Sequence, residues 1–147
     1  MSAFQNYFID VFKYKYADFE GRARRSEYWY FLLFTYITMF ALMGIMFLFI
    51  GTGLRDESIL GMIIIAILLI FLFAMVIPSI ALTVRRLHDS GKSGWWYLIA
   101  FVPLGSLVLI IFMFLDSEPH TNQWGPNPKN PSLEGDITDH LLEDEIV

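Results

Sequence analysis

The sequence predicts an all-α, polytopic helical membrane protein: three hydrophobic segments preceded by an amphipathic interfacial helix. Two observations carry this. Hydrophobic residues make up 56% of the 147 positions and charged residues only 17%, against roughly 25% charged in an average soluble domain. One soluble core of this length cannot hide that much apolar surface. The apolar residues are also gathered into uncharged runs at residues 28–54, 58–84 and 93–115, and about 20 apolar residues suffice to cross a bilayer as a helix. The runs are continuously apolar rather than alternating, which selects helices over barrel strands. The expected organisation is an interfacial helix at 1–21 and a transmembrane domain at 22–115, with spans near 28–52, 59–84 and 94–115. An acidic, proline-containing, flexible tail follows at 116–147.

The N-terminal segment carries Asp10, Lys13, Lys15, Asp18 and Glu20, so no uninterrupted signal-peptide core is expected there. Phe4, Tyr7, Phe8, Val11 and Phe12 instead repeat at helical spacing, and Tyr16 and Phe19 extend the stripe. An aromatic stripe of this kind suits a helix lying at headgroup depth. Packing against the protein's own body is the alternative. Gly21 is the expected stop, because glycine is favoured just past a helix end.

The first run follows Phe19-Glu20-Gly21-Arg22-Ala23-Arg24-Arg25-Ser26-Glu27-Tyr28-Trp29. The guanidinium forks of Arg22, Arg24 and Arg25 suit phosphate, and Tyr28 and Trp29 suit an aromatic belt. The blander reading is a topology signal. The second run contains Pro78, which predicts a kink. It ends in Arg85-Arg86-Leu87-His88-Asp89-Ser90-Gly91-Lys92-Ser93-Gly94-Trp95-Trp96. Arg85, Arg86 and Lys92 are further phosphate candidates, and Trp95 and Trp96 further belt residues. Gly91-Lys92-Ser93 resembles the end of a phosphate-binding loop, but Arg86 stands where that loop needs its first glycine. Asp89-Ser90-Gly91 reads as a turn. Adjacent residues rarely face one substrate, so His88 and Asp89 are not expected to form a catalytic dyad. Glu27, His88 and Asp89 are read as a structural surface motif, with Glu27 pairing to Arg24, Arg85 or Arg86 and Asp89 to Arg22 or Arg25. No catalytic residue, metal site or cofactor is expected. The chain has no cysteine, which excludes disulfides and thiolate zinc sites.

The third run has Phe101-Val102-Pro103-Leu104-Gly105-Ser106 near its middle. A kinked full span is favoured, because neighbouring groups absorb a proline within a membrane helix. Two half-helices forming a re-entrant hairpin are the alternative. Beyond it, Pro119 to Pro131 holds four of the six prolines and must be turn and extended chain.

Charge orients the chain. Residues 1–115 hold nine Lys/Arg and seven Asp/Glu, a net +2, whereas residues 116–147 hold one lysine and eight acids, a net −7. With three full spans, eight of the basic residues share one side with the N-terminus and the 85–92 link, and the positive-inside rule puts them in the cytoplasm. Parity then puts the acidic tail outside. No ionisable residue lies within any run, which weighs against ion-coupled transport.

The order Phe-x-Gly-Arg-x-Arg-Arg-x-Glu-Tyr-Trp, then Arg-Arg-x-His-Asp with Trp95-Trp96, then Asn122-x-x-Gly125-Pro126-x-Pro resembles one family. It is the group of small bacterial inner-membrane proteins called domain of unknown function 805. The resemblance covers residues 4–128. It departs at Gln123-Trp124, where the family often has a basic residue and then Tyr or Phe. It implies a multi-pass inner-membrane protein and supplies no catalytic residue. If the Asn122 motif belongs beside the arginine motifs, a re-entrant third segment is required. The favoured activity is a non-enzymatic adaptor or anionic-lipid-interacting module, with the bilayer, anionic phospholipid, a second copy or a membrane protein as partner and no nucleic acid. A small oligomeric channel and a phospho-lipid head-group enzyme are the alternatives.

Overall fold

A computed structural model describes residues 9–51 and 59–129. Among these residues the regular structure is helical: α1 (Asp10–Tyr14), α2 (Arg25–Gly51), α3 (Ile59–Asp89), a 3-10 helix (Gly94–Phe101) and α4 (Gly105–Phe114). Phe4, Tyr7 and Phe8 of the expected interfacial stripe, Arg55 in the link, and the acidic tail beyond Lys129 lie outside the described residues.

Helices α2 and α3 have 27 and 31 residues. At about 1.5 Å per residue they are roughly 40 and 46 Å long, more than the ~30 Å hydrocarbon core. Both are long and apolar enough to cross a membrane, and only 6% of the most apolar stretch of each is buried. The core helix of a soluble protein would be mostly buried. Here Phe47 and Phe73 are about three-quarters exposed, at 76% and 75%, so these helices need an apolar solvent.

The chain divides into two compact units, Met1–Ala17 with Trp29–Ile80 and Asp18–Tyr28 with Ala81–Val147. In the first unit, Pro78 lies inside α3. It has no N–H to give the carbonyl four residues back, which is that of Ala74. The Tyr16 hydroxyl donates to the Ala74 carbonyl instead, at 2.9 Å. Val11 is buried, and Phe12 lines an apolar cavity with Ile67, Phe71 and Met75. Over the described residues, then, Val11 and Phe12 of the N-terminal stripe pack on the protein's own helices. Helix α1 ends at Tyr14, not at Gly21. Gly21 instead makes a left-handed turn, with φ +75°. Thr38 donates to the Phe34 carbonyl at 2.9 Å, and Thr35 reaches the Met75 sulfur at 3.9 Å. Both are structural uses of small polar groups in membrane helices.

In the second unit, α3 closes with a Schellman motif. The Lys92 N–H donates to Leu87 O at 2.9 Å and the Gly91 N–H to His88 O at 3.1 Å, with Gly91 left-handed at φ +73°. The third run does not continue as one kinked helix. The 3-10 arm has eight residues and α4 has ten, so each is only ~15 Å long. Between them Leu104 takes a left-handed conformation, φ +64°, and the chain doubles back. A Cβ at Gly105 would lie 1.8 Å from the Ile99 carbonyl oxygen, so only glycine permits the two arms to meet there. Trp96 meets the Phe112 ring edge to face at 5.5 Å. The Lys92 ammonium lies 4.7 Å from the centre of the same ring. The start and end of the run are therefore neighbours, and the span expected at 94–115 is a hairpin.

Candidate functional site

The doubling back returns the chain after α4 to the end of α3, where all three sequence motifs meet. Asp89 is at the centre and has no exposure to solvent. Its Oδ1 accepts from Arg22 Nε at 3.0 Å. Its Oδ2 accepts from Arg86 Nη1 and from the Ser117 hydroxyl at 2.5 Å. Its backbone carbonyl accepts from the Glu118 N–H at 2.8 Å. Two guanidiniums and a hydroxyl thus offset the desolvation of one carboxylate, as a buried charge requires.

Arg22 and Arg86 join distant segments by the same bonds. A guanidinium has five N–H donors. Besides Asp89 Oδ1, those of Arg22 meet the carbonyls of His120 at 2.8 Å, Gly125 at 3.2 Å, Glu118 at 2.6 Å and Asp89 at 3.4 Å. Arg86 donates from Nε to Met113 O at 3.3 Å and from Nη2 to Leu115 O, and Arg25 donates to Phe114 O at 3.1 Å. Three successive carbonyls at the end of α4, which have no partner within the helix, are satisfied by two arginines. The expectation that Arg22 and Arg86 are free phosphate clamps does not fit this geometry, because phosphate would have to displace these bonds. Arg25 is half-exposed and ion-paired to Asp116 at 2.8 Å.

Arg85 pairs with Glu27 at 3.3 Å, one of the three pairings expected for Glu27, while its Nε and Nη2 are buried without a partner. Its backbone carbonyl accepts from the Ala23 N–H at 3.1 Å. Asp116 also binds Lys129. The Lys129 hydrogen bond, then the Ser117 N–H and the Arg25 charge, hold its carboxyl below the ordinary value, at about 2.

His88 faces other surroundings. Its Nδ1 lies 3.2 Å from the Gly21 carbonyl, so Nδ1 carries the proton and Nε2 of the neutral ring is an acceptor. The ring stacks on Trp124 at 4.3 Å and 7°. His88 and Asp89 therefore do not converge on one cleft. Asn122 donates to His88 O at 2.9 Å and to Glu118 Oε2 at 2.8 Å, and closes a tight turn with Gly125 through N–H to carbonyl bonds of 3.2 and 3.0 Å. Gly125 is left-handed there, at φ +124°. Pro126 follows on the surface. Ser117, and the part played by Trp124 against His88, carried no signal in the sequence.

Tyr28 and Trp29 are half-buried, Trp95 is 78% and Trp96 47% exposed. The Arg24 side chain is half-exposed. Among the described residues, no group of His, Asp and Glu is arranged to hold a metal.

Residues 16–126, which include the first two motifs and the third as far as Pro126, match the family described as "Protein of unknown function (DUF805)". The chain belongs to this family. Among DUF805 relatives, it is 38% identical over 124 residues to the inner membrane protein YhaI of Escherichia coli strain K12, covering 84% of this chain and 95% of that one. It is also 38% identical over 126 residues to the inner membrane protein YhaH of the same strain, covering 84% and 97%. No solved structure matches this DUF805 chain.

Proposed function

We propose that this chain is a multi-pass protein of the bacterial inner membrane that works without chemistry of its own, as an adaptor or anionic-lipid-interacting module. Helices α2 and α3 are its two crossings in this reading. The hairpin at 93–115 enters the membrane and leaves on the side it came from. The N-terminus, the 85–92 link and the segment after α4 then share the cytoplasmic face. The names of the relatives support the location, and the basic residues support the orientation. With the tail inside, Arg55 is the single basic residue left on the outer side, against nine within.

One observation carries the functional reading. The charged motif residues are spent on one another around Asp89, and His88 is turned away from that carboxylate toward Trp124. This favours a folded cap over an acid–base pair. What the cap offers outward is Arg24, Lys92, Trp95 and Trp96, a combination suited to lipid headgroups.

Two measurements test the reading. The chain has no cysteine, so a single Lys129→Cys is labelled without background. An impermeant thiol reagent should miss it in intact spheroplasts and find it after permeabilisation; labelling in intact cells would overturn the re-entrant arrangement. Phospholipid carried through purification should be richer in anionic species than the bulk membrane, and less so in Arg24→Gln/Lys92→Gln. A bulk-like composition in both proteins would remove the lipid arm.

A further inference from the structure

An open pocket of about 560 Å³ lies in the second unit between the end of α3, the 3-10 arm and the turn at Trp124. Its walls are mostly apolar: Phe19, Val84, Trp95, Leu98 and Trp124. His88 is 7% exposed and lines it. Since Nδ1 is committed to the Gly21 carbonyl, Nε2 is an acceptor with no hydrogen-bond partner among the described residues. A Cβ on Gly94 would sit 3.3 Å from this Nε2 and 2.7 Å from Val84 Cγ1. Glycine at that position therefore keeps the space beside the imidazole clear.

The missing partner of Nε2 must bring an O–H or N–H. No carboxylate lines the pocket to balance an ammonium, and a hydroxyl needs none. Lys92 directly precedes the lining residue Ser93 without itself lining the pocket; its ammonium lies over the Phe112 ring, and its flexible stem must swing it to an anion at the pocket mouth. The Ser93 oxygen accepts from the Trp95 N–H at 3.4 Å, which leaves its own proton to donate. A hydroxyl donor for His88, with an anion for Lys92 and Ser93 and an apolar body for the tryptophans, describes one class of amphiphile.

We propose that this pocket binds the head of an anionic phospholipid bearing a free hydroxyl, of the phosphatidylglycerol type, with the hydroxyl donating to His88 Nε2 and the phosphate beside Lys92 and Ser93. This rests on the anionic-lipid reading above and sharpens it, moving recognition from the arginine motifs to the His88 pocket.

The test varies the lipid head on the unmodified full chain. Native mass spectrometry in a neutral detergent compares phosphatidylglycerol with phosphatidylethanol, which has the same phosphodiester charge and no hydroxyl, and with phosphatidylcholine. Loss of one hydrogen bond should reduce retention of phosphatidylethanol by about three- to ten-fold relative to phosphatidylglycerol. His88→Phe, which keeps a ring for Trp124, should abolish that preference while leaving the preference for anion over phosphatidylcholine. Trp95→Ala removes a largely exposed wall and does not depend on the His88 bond to Gly21. It should weaken phosphatidylglycerol retention in a normally folded protein. Equal retention of phosphatidylglycerol and phosphatidylethanol overturns the pocket proposal and leaves the anionic-lipid reading standing. Equal retention of all three lipids overturns both.

Discussion

Removing the charge of Asp89 should unravel the second unit more than any other single change of a polar group. Asp89→Asn keeps the shape of the side chain. However, its amide nitrogen replaces an acceptor where Arg86 and the Ser117 hydroxyl both donate. The side chains of Arg22 and Arg86 are 1% and 0% exposed, so both cations lose their counter-charge out of reach of water. Breaking a buried pair from one side costs about 3–5 kcal/mol. With roughly 2–4 °C per kcal/mol for a chain of this size, the midpoint should fall by about 6–20 °C. Heating in mild detergent followed by fluorescence-detected size exclusion measures it. Thiol-reactive dyes are unsuitable, because the chain has no cysteine. Adding Arg86→Met to Asp89→Asn removes one of the stranded cations but strands the Met113 and Leu115 carbonyls, so the two losses should be less than additive rather than cancel. A fall below about 2 °C for Asp89→Asn would refute the argument, since it is smaller than one ordinary hydrogen bond would give.

The other expectations are smaller. Tyr16→Phe should cost about 1 kcal/mol by stranding the Ala74 carbonyl. In a Pro78→Ala background, where a backbone N–H returns, the same change should cost less, and a double-mutant cycle showing no coupling would contradict the compensation. Gly105→Ala should be strongly destabilising, because its Cβ would meet the Ile99 carbonyl at 1.8 Å, whereas Gly44→Ala meets nothing within 4 Å and should be neutral or gain up to ~1 kcal/mol of helix propensity. The two variants heated side by side check this. The depressed Asp116 carboxyl contributes stability above its ordinary value of 3.8, and loses it as pH falls toward about 2. Asp116→Asn should therefore flatten that acid-side step in a pH series of unfolding midpoints; an unchanged step would assign it to another group.

Much of this architecture was legible in the residue order, and particular residues show where legibility ended. The uncharged runs at 28–54 and 58–84 named the two long helices, since length and hydrophobicity are properties of contiguous chain. The glycine and serine around Asp89-Ser90-Gly91 named the turn. Pro78 announced a freed carbonyl but not that Tyr16, 58 residues away in sequence, would satisfy it. The aromatic stripe at Val11 and Phe12 had the right spacing for a helix and no statement of what it faced. Pro103 and Gly105 marked a break in the third run without saying whether the chain would bend or reverse.

The sequence by itself determined that this protein lives in a bilayer, where its two long helices lie, and that its charged chemistry gathers in three short motifs. Those follow from composition, run length and local spacing. Only the tertiary structure decided that the third run is a hairpin and that Asp89 takes Arg22 and Arg86 together. It also decided that Arg22, Arg25 and Arg86 hold backbone carbonyls rather than standing free, and that His88 looks toward Trp124. The bonds concerned join residues up to 103 positions apart. Several guanidiniums and carboxylates were chemically equivalent candidates for each other. The choice among them was made by burial, because a charge taken out of water is tolerated only where geometry supplies all its partners at once.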